Sequence, residues 1–281
     1  MKRQLTRLAA AAALVTMAAQ AGASTVISYP DFSSVAGLTF NGNAAQSGNV
    51  LRVTPAIDGQ SGSVFSTSTV SLASNASFST FFKFRFTNPD TAFCDTGGGS
   101  LCGADGLVFV VQTVDNNVGG AGGGIGYAGI NNSVGIEFDN WFNGELGDIN
   151  SNHVGIDVNG SVVSIAQTPV AEADMNAGDD WNAWIDYDGA TTLLEVRLTR
   201  AAARPATAIL SLTRNLSLDL GTTSAFVGFT SGTGASHANH DVLSWQLEDR
   251  FAPIGTVPEP ASLALLGLGL AGLGLGRRRK T

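Results

Sequence analysis

The sequence is poor in basic residues, cysteine and histidine. Its 281 residues include 15 lysines and arginines against 23 acidic residues, with only two cysteines and three histidines. Seven basic residues and Glu259 lie in the two ends, so the rest keeps eight basic and 22 acidic residues, a net charge of −14. A surface this acidic disfavours nucleic acid and anionic membranes as partners, whereas it suits cations and neutral sugars.

The amino-terminal end has the composition of a secretory signal peptide. Lys2, Arg3 and Arg7 precede an apolar run that ends at residue 18, and small residues follow it. A basic start, a short apolar segment and a small-residue cleavage site are the three parts of such a signal. We therefore predict that residues 1–23 are removed on export, by cleavage after Ala21 or Ala23.

The carboxy-terminal end carries a short apolar segment, residues 261–276, between Pro258-Glu259-Pro260 and four basic residues. The segment falls short of the about 20 residues that a stable span needs, and the basic residues would stay cytoplasmic. This arrangement resembles the PEP-CTERM sorting signal of Gram-negative bacteria that make exopolysaccharide. The resemblance implies that residues 255–281 are a transient inner-membrane anchor, cut by an exosortase near residues 258–260 to release the protein to the cell surface or matrix. A permanent single-pass anchor is the alternative.

Residues 24–254 show the pattern of a single all-β domain. Short segments of alternating apolar and polar residues are separated by glycine, asparagine, serine and aspartate, with little sign of helix. Several strands at this spacing predict a sandwich of two sheets. The predicted strands cover residues 78–86, 107–112, 134–139, 154–158, 184–187, 193–198, 226–229 and 242–247.

The two cysteines, Cys94 and Cys102, enclose a glycine-rich stretch. In an exported protein, an even pair this close in sequence is most simply a disulfide that closes a loop. A metal site would need more ligands than this segment supplies. The sequence therefore predicts a Cys94–Cys102 disulfide.

Carboxylate, amide and imidazole groups are concentrated between residues 137 and 153. If this run is a strand, its period of two places Glu137, Asp139, Trp141 and Asn143 on one face; Asp148 and His153 follow. Acidic groups gathered in one place repel each other unless a cation neutralises them. Oxygen ligands suit Ca2+, and a histidine beside carboxylates suits a transition ion such as Mn2+. We therefore predict a metal site here, with a solvated hairpin face as the alternative.

The spacing of these residues resembles the metal loop of the L-type, or legume-like, lectins. The resemblance implies a jelly-roll β-sandwich and covers nearly all of residues 24–254. It assigns the transition ion to Glu137, Asp139, Asp148 and His153, and it assigns Ca2+ to Asp139, Asp148, Asn143 and the backbone carbonyl of Trp141. The family has a serine ten residues after the histidine, where this sequence has Val163, with Ser164 one position further.

The same resemblance implies a sugar site. Ala104-Asp105-Gly106 matches a family motif in which a cis peptide bond aims the aspartate at sugar hydroxyls. A backbone amide of the glycine-rich run 119–126 would donate to the sugar, from Gly123 or, second, Gly124. The remaining contacts implied for the sugar come from Trp141, Asn143, Ala235 and Ser236. His237 and His240 are expected to be exposed to solvent, with a role as metal ligands as the alternative.

These features predict an exported, Ca2+- and Mn2+-dependent lectin that binds exopolysaccharide or surface glycans without changing them. One alternative is a structural matrix or adhesion protein whose lectin site has decayed. Another is a laminarinase-type glycoside hydrolase, which shares the sandwich and carries a Glu-x-Asp-x-x-Glu strand. Retaining hydrolysis needs two carboxyl groups about 5 to 5.5 Å apart, and Phe142 occupies the position of the second glutamate.

Overall fold

The computed structural model describes residues 25–97, 101–117 and 124–255, and within these ranges two antiparallel β-sheets pack face to face. Sheet A consists of the strands β1 (Thr25–Tyr29), β3 (Ala45–Ser47), β4 (Val50–Thr54), β7 (Phe78–Thr87), β12 (Trp181–Asp188), β13 (Leu193–Thr199), β14 (Leu210–Thr213) and β16 (Asn239–Glu248). Their order across the sheet is β14-β13-β12-β7-β16-β4-β3, with β1 paired to β16.

Sheet B consists of the strands β2 (Leu38–Gly42), β5 (Ser61–Ser66), β6 (Val70–Ser71), β8 (Gly106–Gln112), β9 (Ser133–Asp139), β10 (His153–Val158), β11 (Ala166–Pro169) and β15 (Ser224–Gly232). Their order is β11-β10-β9-β8-β15-β5-β2, with β6 paired to β15. Two short α-helices, α1 (Ala73–Ala76) and α2 (Leu216–Leu220), and the 3-10 helices Gly144–Leu146 and Met175–Ala177 lie in the described connections. Among the described residues, every helix is too short or too polar to cross a membrane.

The core between the sheets is built by the alternating apolar residues of the strands. Phe82, Phe84 and Phe86 of β7 are completely buried, and Phe138 of β9 meets them from the opposite sheet. The ring centroids of Phe82 and Phe138 are 5.6 Å apart in an edge-on arrangement, which is favourable for aromatic rings. Because successive side chains of a strand point to opposite faces, burying Ile136 and Phe138 turns Glu137 and Asp139 to the outer face of sheet B.

The two-sheet sandwich confirms the predicted fold class, and each predicted strand lies within an observed strand. The predicted disulfide is present, since Cys94 and Cys102 are bonded with their Cα atoms 4.6 Å apart. The signal peptide and the sorting segment fall outside the described residues, as does Gly123. Those boundaries and that contact therefore stay predictions.

Candidate functional site

The acidic residues lie on a strand that both of its neighbours hold in place. Strand β9 runs between β8 and β10, so that Asp139 is opposite Gly106 on one side and His153 on the other. Glu137 is opposite Gly155. The backbone ladder of sheet B thus brings the two acids and the imidazole to one end of the sheet.

The strand ends at Asp139, as the predicted strand 134–139 does, whereas the predicted shared face extends the run to Asn143. Strand β9 stops at Asp139, whose Oδ1 accepts the backbone N–H of Trp141 at 2.7 Å, and the N–H of Phe142 donates to Asp95 Oδ2 at 3.0 Å. These side-chain acceptors compete with the sheet ladder and turn the chain away. The prediction that Trp141 and Asn143 continue the strand is therefore wrong; both lie in the loop that follows it.

Four side chains of this region converge. Ligand atoms of Asp139, Asp148 and His153 lie within 4.8 Å of one another, and Glu137 Oε1 is 3.3 Å from His153 Nε2. Glu137, Asp139 and His153 are buried, whereas Asp148 is half-buried. The structure therefore brings together the four residues that the sequence assigns to the transition ion.

The cluster is electrostatically strained without a cation. Burial raises the pKa of Asp139 well above its usual range, and the neighbouring Glu137 and Asp148 raise it further. Burial also raises the pKa of Asp148, to about 6. Burial alone would lower the pKa of His153, but its contacts with Glu137 and Asp148 raise it overall. A cation among these groups would favour their unprotonated forms.

The imidazole of His153 is oriented as a metal ligand. Its Nδ1 is hydrogen-bonded to the carbonyl oxygen of Asn150 at 2.8 Å, while the buried Nε2 has no hydrogen-bond partner among the described residues. Metal-binding histidines commonly donate one ring N–H to a carbonyl, which fixes the ring and leaves the other nitrogen for the ion. The donor set therefore fits a transition ion.

A second layer of side chains, which the sequence analysis missed, supports Glu137. Ser164 Oγ is hydrogen-bonded to both Glu137 Oε1, at 2.6 Å, and Asp157 Oδ1, at 2.9 Å, so a serine one position beyond Val163 contacts this carboxylate pair. Burial and the nearby Glu137 raise the pKa of Asp157 well above its usual range. A Cβ built on Gly155 would lie 2.0 Å from Ser164 Oγ and 2.1 Å from Glu137 Oε1, so a larger residue here would displace both side-chain ends. The sequence does contain a signal for Asp157, because the alternation of His153, Gly155 and Asp157 along β10 places the three residues on one face.

The loop after β9 is fixed from several sides. Within it, the N–H of Asn143 donates to Asp148 Oδ2 at 2.6 Å. Asn140 Nδ2 donates to the buried Asn176 Oδ1 at 2.7 Å. The disulfide-closed segment packs on the same loop, because a Cβ on Gly97 would lie 2.3 Å from Phe142 Cβ. The loop that carries Asn143 is therefore held by the disulfide segment and by the 3-10 helix at Met175–Ala177.

Trp141 has an aromatic partner that the sequence analysis also missed. Its ring stacks on that of Phe93, with centroids 5.7 Å apart and planes 15° from parallel. Trp141 is half-buried and Phe93 is exposed. The pair forms an apolar surface beside the acidic cluster, of the kind on which the apolar face of a sugar ring can stack.

Asp105 lies next to the acidic cluster on the neighbouring strand. The Ala104–Asp105 peptide bond is cis, as the family resemblance implies. Asp105 is buried, its Oδ2 has no hydrogen-bond partner among the described residues, and burial raises its pKa to about 7. A Cβ on Gly234 would lie 3.3 Å from Asp105 Oδ2, so the loop of residues 234–239 closes over this carboxylate.

The other predicted sugar contacts differ in accessibility. Ala235 is exposed and Gly124 half-buried, whereas Ser236 is completely buried and its Oγ has no hydrogen-bond partner among the described residues. The Ser236 contact therefore stays a prediction, one that requires the loop to open. The expectation that both loop histidines are exposed is wrong: His240 is completely buried against Phe86, and His237 is half-buried beside Asp58.

Comparison with known proteins identifies the family. The chain matches the legume lectin domain over residues 24–259 and the PEP-CTERM protein-sorting motif over residues 256–280. It therefore belongs to the legume lectin domain family and carries a PEP-CTERM sorting motif at its end. Both resemblances drawn from the sequence are confirmed.

Individual relatives agree with this assignment. The lectin of Bauhinia forficata, solved in complex with GalNAc, has a TM-score of 0.66 at 25% identity and covers 81% of this chain and 98% of its own. The metal-free form of lectin I-B4 from Griffonia simplicifolia has a TM-score of 0.64 at 27% identity, and the match covers 79% of this chain and 97% of that lectin. Legume lectins are β-sandwiches, which confirms the predicted lectin-like fold.

A similar protein of known sequence is the L-type lectin-domain containing receptor kinase VIII.1 of Arabidopsis thaliana. It is 36% identical over 180 residues, which cover 62% of this chain and 24% of the relative. The chain thus spans about a quarter of the length of this relative. The shared part is the lectin domain, so the fold and the family support a carbohydrate-binding protein.

Proposed function

We propose that this protein is an exported lectin that binds carbohydrate at the end of sheet B and depends on Ca2+ and a transition ion such as Mn2+. The observation that carries the proposal is the buried cluster of Glu137, Asp139, Asp148 and His153, with Asp105 on the adjoining strand. The PEP-CTERM motif supports export and release by an exosortase.

The two ions would have structural roles. Glu137, Asp139, Asp148 and His153 would hold the transition ion. Asp139, Asp148, Asn143 and the carbonyl of Trp141 would hold Ca2+. Bound together, the ions would supply positive charge that offsets the acidic cluster and fixes the loop after β9 against the sheet.

The sugar would bind where polar and apolar groups meet. The Asp105 carboxylate would accept hydrogen bonds from sugar hydroxyls once the neighbouring cations favour its charged form. The Asn143 amide would bind Ca2+ through its oxygen and the sugar through its nitrogen, while Trp141 would stack on the ring. Gly123 or Gly124 would add a backbone donor, and Ala235 and Ser236 would line the opposite wall. Such shallow sites bind a single sugar with affinities on the order of millimolar, about −4 kcal/mol.

The burial of Glu137 favours binding over hydrolysis. Glu137 is 2% exposed and accepts a hydrogen bond from Ser164, so its carboxylate is covered on the outer face of sheet B and is not open to a substrate. Phe142 offers no second carboxyl group; its ring instead packs against Gly144. A structural matrix protein with a decayed site would share the fold but would lack glycan binding.

A glycan array probed with the mature protein, with and without EDTA, tests this proposal. We expect binding to exopolysaccharide or surface glycans in Ca2+ and Mn2+, and its loss in EDTA. Absence of binding in both conditions would support the decayed lectin, and release of reducing sugar would support the hydrolase.

A further inference from the structure

A second pocket lies on the opposite side of the molecule, on the outer face of sheet A. Trp184 and Asp186 of β12 and Glu195 and Arg197 of β13 point away from the core, with Trp184 opposite Arg197 in the strand register. These outward side chains are nevertheless largely covered: Trp184 is 3% and Asp186 1% exposed. The pocket encloses about 620 Å3 between this face and residues 202–206 and 253–255.

The floor of the pocket carries guanidinium donors that lack acceptors. Arg204 Nη2 donates to Asp186 Oδ2 at 2.6 Å, and Arg197 Nη2 donates to Glu195 Oε1 at 3.2 Å. Nε and Nη1 of Arg197 and Nη1 of Arg204 are buried without a hydrogen-bond partner among the described residues, as is Asp186 Oδ1, and Arg197 Nη1 lies 3.7 Å from Asp186 Oδ2. The two arginine side chains are more than nine-tenths buried. Buried polar groups left unpaired are costly, so these donors point to an acceptor that completes the site.

The chain itself leads into this pocket. Gly255, the last described residue, lines it, and a Cβ there would lie 3.5 Å from Trp184 Nε1 and 3.9 Å from Arg204 Cβ. The next residues are Thr256, Val257, Pro258, Glu259 and Pro260. Four extended residues span up to about 14 Å, so Glu259 can reach any part of the pocket.

The segment after Gly255 carries a further acceptor for the two guanidinium groups. Glu259 is its single acidic residue, and its carboxylate would accept the free donors of Arg197 and Arg204 in the bidentate way that guanidinium groups favour. Val257, Pro258 and Pro260 are apolar, and the pocket walls are formed by alanine, proline and tryptophan side chains.

We propose that residues 256–260 dock in this pocket, with the Glu259 carboxylate on Arg197 and Arg204. The site lies on the other sheet from the lectin site, and the inference is independent of the proposed sugar binding. Docking holds the Pro-Glu-Pro segment of the sorting motif against the folded domain, so the region that an exosortase would cut is presented at a fixed place rather than on a free tether.

A cysteine-pair experiment tests the docking in the full chain, exported from a host without an exosortase. Val257→Cys is combined with Ala206→Cys in the pocket wall or, as a control, with Ser211→Cys, which is exposed on β14. After equilibration in a glutathione buffer, the disulfide formed is measured by intact mass and peptide mapping. We expect about ten times more disulfide with position 206 than with position 211.

The charge is tested in the Ala206→Cys pair background. Glu259→Gln lies outside the described domain and leaves the arginines intact, and we expect it to lower the disulfide yield about tenfold. Asp115→Asn, an equal change of charge at a distant exposed residue, should leave the yield unchanged. Equal disulfide yields with positions 206 and 211 would overturn the proposal, as would a disulfide yield that Glu259→Gln leaves unchanged. A disulfide between two chains would assign the pocket to a second copy and overturn it as well.

Discussion

Chelation and the substitution Asp139→Asn should change the stability of this protein in opposite directions. Ligand atoms of Asp139, Asp148 and His153 lie within 4.8 Å of one another. At that separation, two like charges repel by roughly 3 to 4 kcal/mol at an effective dielectric constant of about 20. In EDTA the protonated form of Asp139 is favoured, which relieves part of this repulsion, because burial and the neighbouring acids hold the pKa of Asp139 well above 3.8.

The sign of the effect in EDTA follows from this raised pKa. A carboxyl group whose folded-state pKa exceeds its unfolded value contributes stability that is present below pH 3.8 and is lost as the pH rises toward the folded value. Each unit of difference corresponds to about 1.4 kcal/mol. The asparagine side chain of the variant resembles the protonated acid and keeps the acceptor for the N–H of Trp141. We therefore expect Asp139→Asn to melt a few degrees above the wild type in EDTA at pH 7.

With Ca2+ and Mn2+ present, we expect the wild type to melt at a higher temperature than Asp139→Asn. An ion at a hundredfold excess over its Kd stabilises the folded state by about 2.7 kcal/mol. For a domain of this size, that is a rise in Tm of roughly 5 to 11 °C for each occupied site. The wild type should gain this shift in Ca2+ and Mn2+ and regain glycan binding, whereas Asp139→Asn, which would weaken the ligand proposed for both ions, should gain little of either.

Differential scanning calorimetry measures the Tm of the wild type and of Asp139→Asn in EDTA and in Ca2+ with Mn2+. Glycan binding is recorded on the same samples. Glu145→Gln is the matched control, because Glu145 lies in the same loop but is exposed and outside the cluster. It should follow the wild type in both buffers. A wild type that melts at one temperature in both buffers and binds glycan equally would refute the metal argument, as would an equal metal-induced shift in Asp139→Asn.

Three further predictions concern other parts of the molecule. Trp141→Ala should weaken glycan binding about fivefold in calorimetric titrations, from an aromatic contact of roughly 1 kcal/mol, while Ca2+ binding persists; unchanged sugar affinity would leave Trp141 only a packing partner of Phe93. Protein from the medium of the producing cell should lack residues 1–23 and those after Pro260 by intact mass; retention of residues 277–280 would indicate a permanent anchor. Burial lowers the pKa of His240 to about 3, so its stabilising effect is present above pH 6.5 and lost as the pH falls toward 3. In EDTA, the free energy of unfolding measured with denaturant should fall from pH 8 to pH 5 by about 2 kcal/mol less in His240→Gln than in the wild type. An equal fall in the two proteins would contradict this account.

The strands were predictable because alternation is a local property. The Phe82, Phe84 and Phe86 pattern fixes both the strand and its buried face, and neither depends on distant residues. The four transition-ion candidates were predictable for a related reason. Glu137 and Asp139 share one strand face, and the Asp148 and His153 spacing matches a loop that the family resemblance supplies.

The remaining details depend on tertiary contacts that the pattern does not contain. Strand β9 ends at Asp139 because Asp95, more than forty residues away in sequence, accepts the N–H of Phe142. His240 is buried because Phe86 and Thr54 of neighbouring strands enclose its ring. The position of Asp157 near the cluster was predictable, because the alternation of β10 places it on the same face as His153. The family resemblance does not include this residue among the metal ligands.

The site divides into a part that the sheet holds and a part that the ions would hold. The backbones of Glu137, Asp139 and His153 are fixed by the hydrogen-bonded ladder of β9 and β10, so we expect these residues to keep their places when a cation is removed. Asp148, Asn143 and Trp141 sit on the loop after β9, outside that ladder, where side-chain contacts such as the N–H of Asn143 on Asp148 hold the chain. Removing the ions should therefore loosen the loop while the sandwich stays folded. Because the proposed sugar contacts of Asn143 and Trp141 lie on that loop, glycan binding should be lost at chelator concentrations that leave the β-sheet signal in circular dichroism unchanged.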